Sequence, residues 1–216
     1  QRNQDILSYT QVKIPTPRCI VLYNGPAQRP EREVMKLSDA FANQDVEGCL
    51  ELKVEILNIN YGKNESLQKA CKTLEDYAIL VAKIREYADR GDEIIFTRDT
   101  HYEDYMETNE GRHLPVPHCI EETEGWEIAA GLEVPGAIYI NKTSFGYTGW
   151  GDFDLQDVEM VGLCTDICVV SNALIIKALY PEINVKVDAK CCAGVTPESH
   201  EAALATMAMC QVDIIR

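Results

Sequence analysis

Residues 157–180 read DVEMVGLCTDICVVSNALIIKALY. Asp157–Leu163 is an apolar run of strand length. From Asp166 to Tyr180 the spacing changes, and Ile167, Val170, Leu174, Ile175 and Ala178 fall on one face of a helix. Strand, tight turn and helix in that order are half of a βαβ unit, and the same grammar extends on both sides. Upstream, Glu93–Thr97 (EIIFT), entered through the helix stop Arg90-Gly91-Asp92, and Ala137–Asn141 (AIYIN) read as buried strands. Downstream, Asn184–Ala189 is a strand and Pro197–Cys210 a helix with Ser199 and Glu201 in its first turn. Val212–Ile215 is a last strand. Strands alternating with helices predict a parallel α/β sheet.

The N-terminal third reads differently. Gln11–Tyr23 is an extended run broken by prolines, Asn24-Gly25-Pro26 is a turn, and Cys49–Tyr61 alternates charged and apolar residues like a strand with one wet face. Ser66–Arg90 reads as one helix that Ser66 can cap, with an apolar stripe from Leu67 to Ile84. The stretch Tyr102–Trp126 has no period, two prolines and two histidines, and a loop of that length inside a compact domain is usually functional.

The 216 residues are 46% hydrophobic and 25% charged, which suits a folded globular chain. Twenty Lys+Arg against 35 Asp+Glu give a net charge of −15 and a pI near 4.6. Such a field repels phosphate backbones and anionic lipid, so neither nucleic acid nor membrane is expected as a partner. Nine cysteines follow no disulfide-framework spacing, and the start carries no basic segment followed by an apolar run. Together these predict reduced thiols in a cytoplasmic protein. The sequence opens at Gln1, not Met, which predicts a further piece upstream.

Three groups of residues carry chemistry. In Gly162-Leu-Cys-Thr-Asp-Ile-Cys168 a strand turns into a helix, and Cys168 falls at the helix start, where free N–H groups favour a thiolate. Small cysteines packed in a core would look the same. Asp99-Thr100-His101 follows the EIIFT strand, with Glu110 and His118 in the long loop. One carboxylate and imidazoles at such spacing suit zinc, iron or manganese, although a strand-end Asp is often only a turn cap. Lys142 ends the AIYIN strand, either solvated or placed to stabilise a nearby thiol anion.

Taken together, these motifs resemble the isochorismatase-like cysteine hydrolases over about residues 82–216, with a loop arrangement closest to the nicotinamidases. The resemblance implies a three-layer α/β/α sandwich around a mostly parallel sheet. It implies Cys168 as nucleophile, Lys142 beside it, a cis peptide at Leu163–Cys164, and an oxyanion hole from the backbone N–H groups of Cys164 and Cys168. It further implies a divalent metal, zinc ahead of iron or manganese, on Asp99, His101, Glu110 and His118, with His113 and Glu103 competing for the place of Glu110. The small-molecule substrate would be nicotinamide or a similar aromatic carboxamide, stacked on Phe145 or Tyr147, cleaved to acid and ammonia through a thioester as in NAD salvage. Self-association into a homo-oligomer is compatible with this family.

The family's first-strand aspartate, which takes the thiol proton, has no counterpart motif. If Val54–Tyr61 serves as the first strand, Asn58 stands in the aspartate's place, and an amide does no acid–base work. Glu55 and Asp39 are the nearby carboxylates. Ile14–Gly25, Leu37–Phe41 and Leu57 through about Arg85 resemble a fragment of the recombination-promoting nuclease and transposase family of PD-(D/E)XK type; Glu51-Leu-Lys53 spells Glu-x-Lys, a triplet common by chance in alternating strands, whereas that family's catalytic acids lie upstream of this portion. The expected organisation is therefore 1–80 as this fragment, supplying the first strand and helix, and 81–216 as the hydrolase domain. The alternatives to an amidase are a ligand- and metal-binding domain without turnover, or a relative acting on carbamoyl compounds or vinyl ethers.

Overall fold

A computed structural model describes residues 15–42, 50–129 and 131–216. The chain divides into two compact units, Gln1–Leu67 and Gln68–Arg216, so the boundary expected between residues 80 and 81 falls inside a helix of the second unit.

In the first unit β1 (Cys19–Tyr23), β2 (Arg32–Lys36) and β3 (Lys53–Asn58) form one sheet in the order β1-β3-β2. Of the alternating run from Cys49 to Tyr61, only Lys53–Asn58 is strand, and Cys49 lies outside the described residues. β3 pairs in parallel with β1 and antiparallel with β2, so both of its edges are taken. A strand with both edges paired has no free backbone groups to offer another sheet. β3 is therefore the central strand of the first unit's own sheet. Glu55 is held by Arg18 at 3.0 Å and Arg32 at 3.1 Å, salt bridges across neighbouring strands.

The second unit holds the α/β arrangement expected from Asp92 onward. After α1 (Glu65–Ala70), which straddles the division, comes α2 (Lys72–Arg90). The single helix read from Ser66 is thus broken at Cys71, whose extended backbone (φ −136°, ψ 95°) separates the two. α2 stops at Gly91 with φ 81°, the left-handed cap that glycine adopts without strain. β4 (Ile95–Asp99) pairs in parallel with β5 (Ile138–Lys142), and β6 (Val158–Leu163), β7 (Val185–Ala193) and β8 (Asp213–Ile215) form a parallel sheet in that order.

Period-two alternation in β7 sorts its two faces. Val185 and Val187 are buried against Ala173 and Ile176 of α4 (Val170–Leu179) and Leu204 and Met207 of α5 (Pro197–Met209). Asp188 points instead to Lys83 of α2, 2.8 Å away. Helix, sheet and helix pair thus form three layers, as expected. Each fully buried aliphatic side chain in the core contributes roughly 1.5–3 kcal/mol. No helix among the described residues is long and apolar enough to cross a membrane. Eight of the nine cysteines are described, and all eight are free thiols.

Candidate active site

Parallel strands gather chemistry at their carboxyl ends, and three strand ends meet here. Asp99 closes β4 and Lys142 closes β5, and the two are register partners, which puts their side chains side by side. β6 shifts register against β7 between Met160 and Gly162, where Gly162 holds φ 128°. This irregularity redirects the strand end into a turn. The Leu163–Cys164 peptide that follows is cis, and a π-type turn, Thr165–Val169, carries Cys168 into α4.

Lys142 is 4% exposed. Its Nζ donates to Asp99 Oδ1, to the Ser144 carbonyl at 3.3 Å and to Cys168 Sγ at 3.4 Å. A buried ammonium persists only when paired in this way. The Asp99 carboxylate oxygens lie 3.8 and 4.0 Å from the same sulfur. Burial pushes the Cys168 thiol up; Lys142 and the hydrogen bond from the Cys164 backbone N–H draw it down, Asp99 raises it, and the balance stays above the usual cysteine value. This desolvation opposes the lowered thiol pKa expected from a helix start. Cys164 is likewise pushed up, chiefly by burial.

Asn172, one turn beyond Cys168, was not singled out in the sequence. It is 3% exposed; its Nδ2 donates to the Cys168 carbonyl at 2.7 Å and the Phe145 carbonyl at 3.1 Å. Its Oδ1 accepts from the Tyr147 N–H at 2.8 Å and Trp150 Nε1 at 2.9 Å. The turn that carries Cys168 is tied in this way to the segment 145–150. Tyr147 packs edge-on against Trp150, ring centroids 5.4 Å apart, whereas Phe145 is 43% exposed and free to meet a ligand ring. A cavity of about 890 Å³, walled by Ile95–Thr97 of β4, Met160–Leu163 of β6 and Leu80 and Ile84 of α2, includes Cys168 in its lining.

The metal candidates divide. His101, Glu110 and His118 come together with their ligand atoms within 4.8 Å of one another. Glu110 Oε1 lies 3.5 Å from His101 Nε2 and 3.6 Å from His118 Nε2. Ligands ~2.1 Å from a tetrahedral ion stand about 3.4 Å apart, so the spacing suits one. His118 Nδ1 faces the Val116 carbonyl at 2.9 Å. A carbonyl only accepts, so this nitrogen is the donor of that bond, and Nε2 is the one turned toward Glu110. His101 Nε2 is buried without a hydrogen-bond partner, an orphaned acceptor or donor that a metal would satisfy. His113 turns instead to the Asn109 carbonyl, 2.8 Å away, which leaves Glu110 as the loop carboxylate.

Asp99 is not among these three. The chain leaves β5 just after the strand: Thr100 N–H bonds to the Lys142 carbonyl, but His101 N–H bonds to the Cys119 carbonyl. The two halves of Asp-x-His therefore belong to different pairings, and Asp99 faces Lys142 and Cys168. Of the four expected ligands, three thus come together as a cluster, and Asp99 lies beside Lys142 and Cys168. Supporting that site is buried Tyr105, whose hydroxyl donates to the Leu114 carbonyl at 2.9 Å and whose ring lies 4.7 Å from that of His101. Asn58, expected in place of the first-strand aspartate, is occupied within the first unit. Its Nδ2 donates to the Arg29 carbonyl at 2.9 Å and its Oδ1 accepts from the Asn60 N–H at 3.1 Å. Asp39 accepts from the Lys36 N–H at 3.2 Å, and Glu51 of the Glu-x-Lys triplet accepts from the Ser38 hydroxyl at 2.7 Å.

A family model described as the isochorismatase domain matches residues 63–216. This chain belongs to the isochorismatase family. The match begins ahead of residue 82, where the resemblance in the sequence was placed, and takes in α1 and α2. Among curated proteins, an isochorismatase family protein PncA of Bacillus subtilis described as uncharacterized is 27% identical over 144 residues, covering 60% of this chain and 77% of the relative. Among solved structures, the nicotinamidase PncA of Bacillus subtilis aligns with a TM-score of 0.56 and 23% identity over 65% of this chain and 84% of that one. The pyrazinamidase of Pyrococcus horikoshii in complex with zinc aligns at 0.55 and 24%, over 66% and 85%. At these identities the structures speak for the fold, which is that of the family's hydrolases.

Proposed function

We propose that this hydrolase is an amidase that cleaves nicotinamide, or a similar aromatic carboxamide, to the acid and ammonia through a thioester on Cys168. The observation that carries this reading is one sulfur flanked by a buried ammonium and a carboxylate, with a His-Glu-His cluster starting two residues beyond that carboxylate.

Cys168 Sγ attacks the carboxamide carbon as its proton leaves. The backbone N–H groups of Cys164 and Cys168 receive the developing oxyanion, and donors of this kind are each worth about 10²–10³ in rate. The C–N bond breaks, the proton that Sγ gave up leaves on the ammonia, and water then opens the thioester, its hydroxyl bonding to the acyl carbon and its proton returning to the sulfur. Lys142, whose Nζ donates to the sulfur, steadies it as it becomes anionic. Asn172 holds the Cys168 carbonyl, so the nucleophile's turn does not drift between steps. Phe145 offers a ring face to the substrate. His101, Glu110 and His118 would hold a divalent ion, zinc before iron or manganese, whose chemistry when bound is Lewis-acid attraction of a ring nitrogen.

The test is ammonia release from nicotinamide and pyrazinamide by the full chain loaded with zinc, manganese or ferrous iron, beside Cys168→Ala. Turnover in the parent, its loss in Cys168→Ala, and an acyl adduct on Cys168 in acid-quenched samples by mass spectrometry are expected. A parent that takes up metal yet releases no ammonia would refute the amidase reading and leave a binding domain.

A further inference from the structure

Thr165 and Asp166 lie inside the turn that runs from Cys164 to Cys168, and both take partners from a distant part of the chain. Thr165 is fully buried, and its Oγ1 shares a 2.8 Å hydrogen bond with Nδ1 of His200, in the first turns of α5. Asp166 accepts from the Val195 N–H, 3.2 Å to Oδ1 and 3.1 Å to Oδ2, just ahead of the same helix. The Ser199 hydroxyl and this N–H hold the Asp166 carboxyl below its usual range against the effect of burial. Gly194 lets α5 come this close: a Cβ there would lie 2.9 Å from His200 Cβ and 3.0 Å from its Cα and N. Within the turn, the N–H groups of Ile167 and Val169 both bond to the Cys164 carbonyl at 3.1 Å. A segment closed on itself in this way moves as one piece, so a shift at Thr165 reaches both cysteines.

We propose that His200 is a positioning residue: through Thr165 Oγ1 it sets the direction of the Cys164 and Cys168 backbone N–H groups, and so governs reactions that charge a carbonyl oxygen at Cys168. This rests on the oxyanion hole of the amidase reading above. A buried hydroxyl that loses its partner has no water to replace it. Donors aimed at an oxyanion are worth about 10²–10³ each, and a misplacement of about 1 Å can cost 10²-fold. The role of His200 is therefore confined to carbonyl chemistry. The sulfur keeps its contacts with Lys142, and the His101, Glu110 and His118 cluster is built on other elements.

Three variants of the full chain separate the contributions. Thr165→Val removes the hydroxyl and keeps the shape; His200→Leu removes the nitrogen; His200→Asn puts a polar atom able to donate or accept where Nδ1 stood. Four quantities are read: kcat and KM for ammonia release, zinc retained after dialysis, alkylation of Cys168 by iodoacetamide followed on its peptide by mass spectrometry, and protection of Cys168 from that alkylation by benzaldehyde. Iodoacetamide forms an S–C bond as iodide leaves and charges no carbonyl oxygen. Benzaldehyde takes the sulfur on its carbonyl carbon and the thiol proton on its oxygen, which passes through the hole.

In Thr165→Val and His200→Leu, kcat should fall about 10–100-fold with KM within about three-fold, and the benzaldehyde needed for half-protection should rise about ten-fold. Alkylation without aldehyde and zinc retention should stay within about three-fold of the parent, and His200→Asn should match the parent in every readout. His200→Leu that is protected as the parent is would overturn the proposal, as would His200→Asn as impaired as leucine. Alkylation falling along with the carbonyl reactions would also overturn it, because a merely structural histidine acts on both. If the parent releases no ammonia, the amidase reading fails and the aldehyde arm decides by itself. A rise in half-protection in His200→Leu then upholds the positioning role, and a parent that benzaldehyde does not protect has no hole to position and refutes it.

Discussion

Replacing Asn172 by alanine removes four hydrogen bonds at once, to the carbonyls of Cys168 and Phe145 and from the N–H groups of Tyr147 and Trp150. Each is worth about 1 kcal/mol net, so the direct loss is about 4 kcal/mol. Trp150 is 5% exposed, so water does not readily replace the lost acceptor and its indole N–H adds a desolvation cost. For a folding unit of about 150 residues each kcal/mol lowers Tm by roughly 2–4 °C. The expected fall is therefore about 8–16 °C, read by calorimetry or by the near-ultraviolet dichroism of the two tryptophans. Asn172→Asp separates the contributions. It keeps both accepted bonds, loses both donated ones and sets a carboxylate against two carbonyls, so it should lose at least half as much stability as alanine does. An alanine variant melting within about 2 °C of the parent, or an aspartate variant as stable as the parent, would refute the view that this amide ties the nucleophile's turn to its neighbouring segment.

Two other perturbations follow from close contacts. A Cβ on Gly111 would lie 2.1 Å from the Tyr105 carbonyl, so Gly111→Ala must displace the short helix Asn109–His113 that carries Glu110. It should cost about 1–3 kcal/mol and weaken zinc retention at least ten-fold; unaltered zinc uptake would contradict a site that includes Glu110. Lys83 sits 2.5 Å from Glu159 and 2.8 Å from Asp188. Burial pushes the Asp188 carboxyl up, but the Lys83 ammonium and the Lys190 N–H outweigh it and hold it below the usual range. A depressed carboxylate contributes stability above its unfolded pKa, near 3.9, that is lost as pH falls through the lower folded value. Lys83→Met should accordingly lower Tm more at pH 7 than at pH 4, where Asp188, deprived of the ammonium that holds its carboxyl down, takes up a proton; an equal loss at both would exclude this ion network as the cause.

Some of this was legible in the residues. The runs at 137–141, 157–163 and 184–189 lie within a residue of β5, β6 and the start of β7, because buried parallel strands are written as short apolar blocks. β4 was misplaced by two residues. Its apolar block ends at Phe96, but Arg98 stays in the strand by stacking 3.6 Å over Trp126 and pairing with Glu127 at 3.0 Å. Neither partner is near in sequence. Asn172 carried a faint signal, an amide in mid-helix where its side chain competes with the backbone, yet its four partners are spread from Phe145 to Cys168. Tyr105 carried none: one aromatic ring in an aperiodic loop does not announce that it will support a histidine.

The sequence by itself determined the alternation of strands and helices from β4 onward, the strand-to-helix turn that carries Cys168 and the histidines and carboxylates of the long loop, since these depend on local spacing and on chemistry that few side chains possess. Which sheet β3 joins, whether Lys142 is buried, and which side chains Asp99 meets were decided only in three dimensions. Each depends on which backbone groups are already paired. β3 is spent on β1 and β2, and Asp99 is fixed by its register with Lys142 while His101 follows Cys119. A hydrogen-bond donor or acceptor once used is not available again, and that exclusion is a property of the folded chain rather than of any stretch of it.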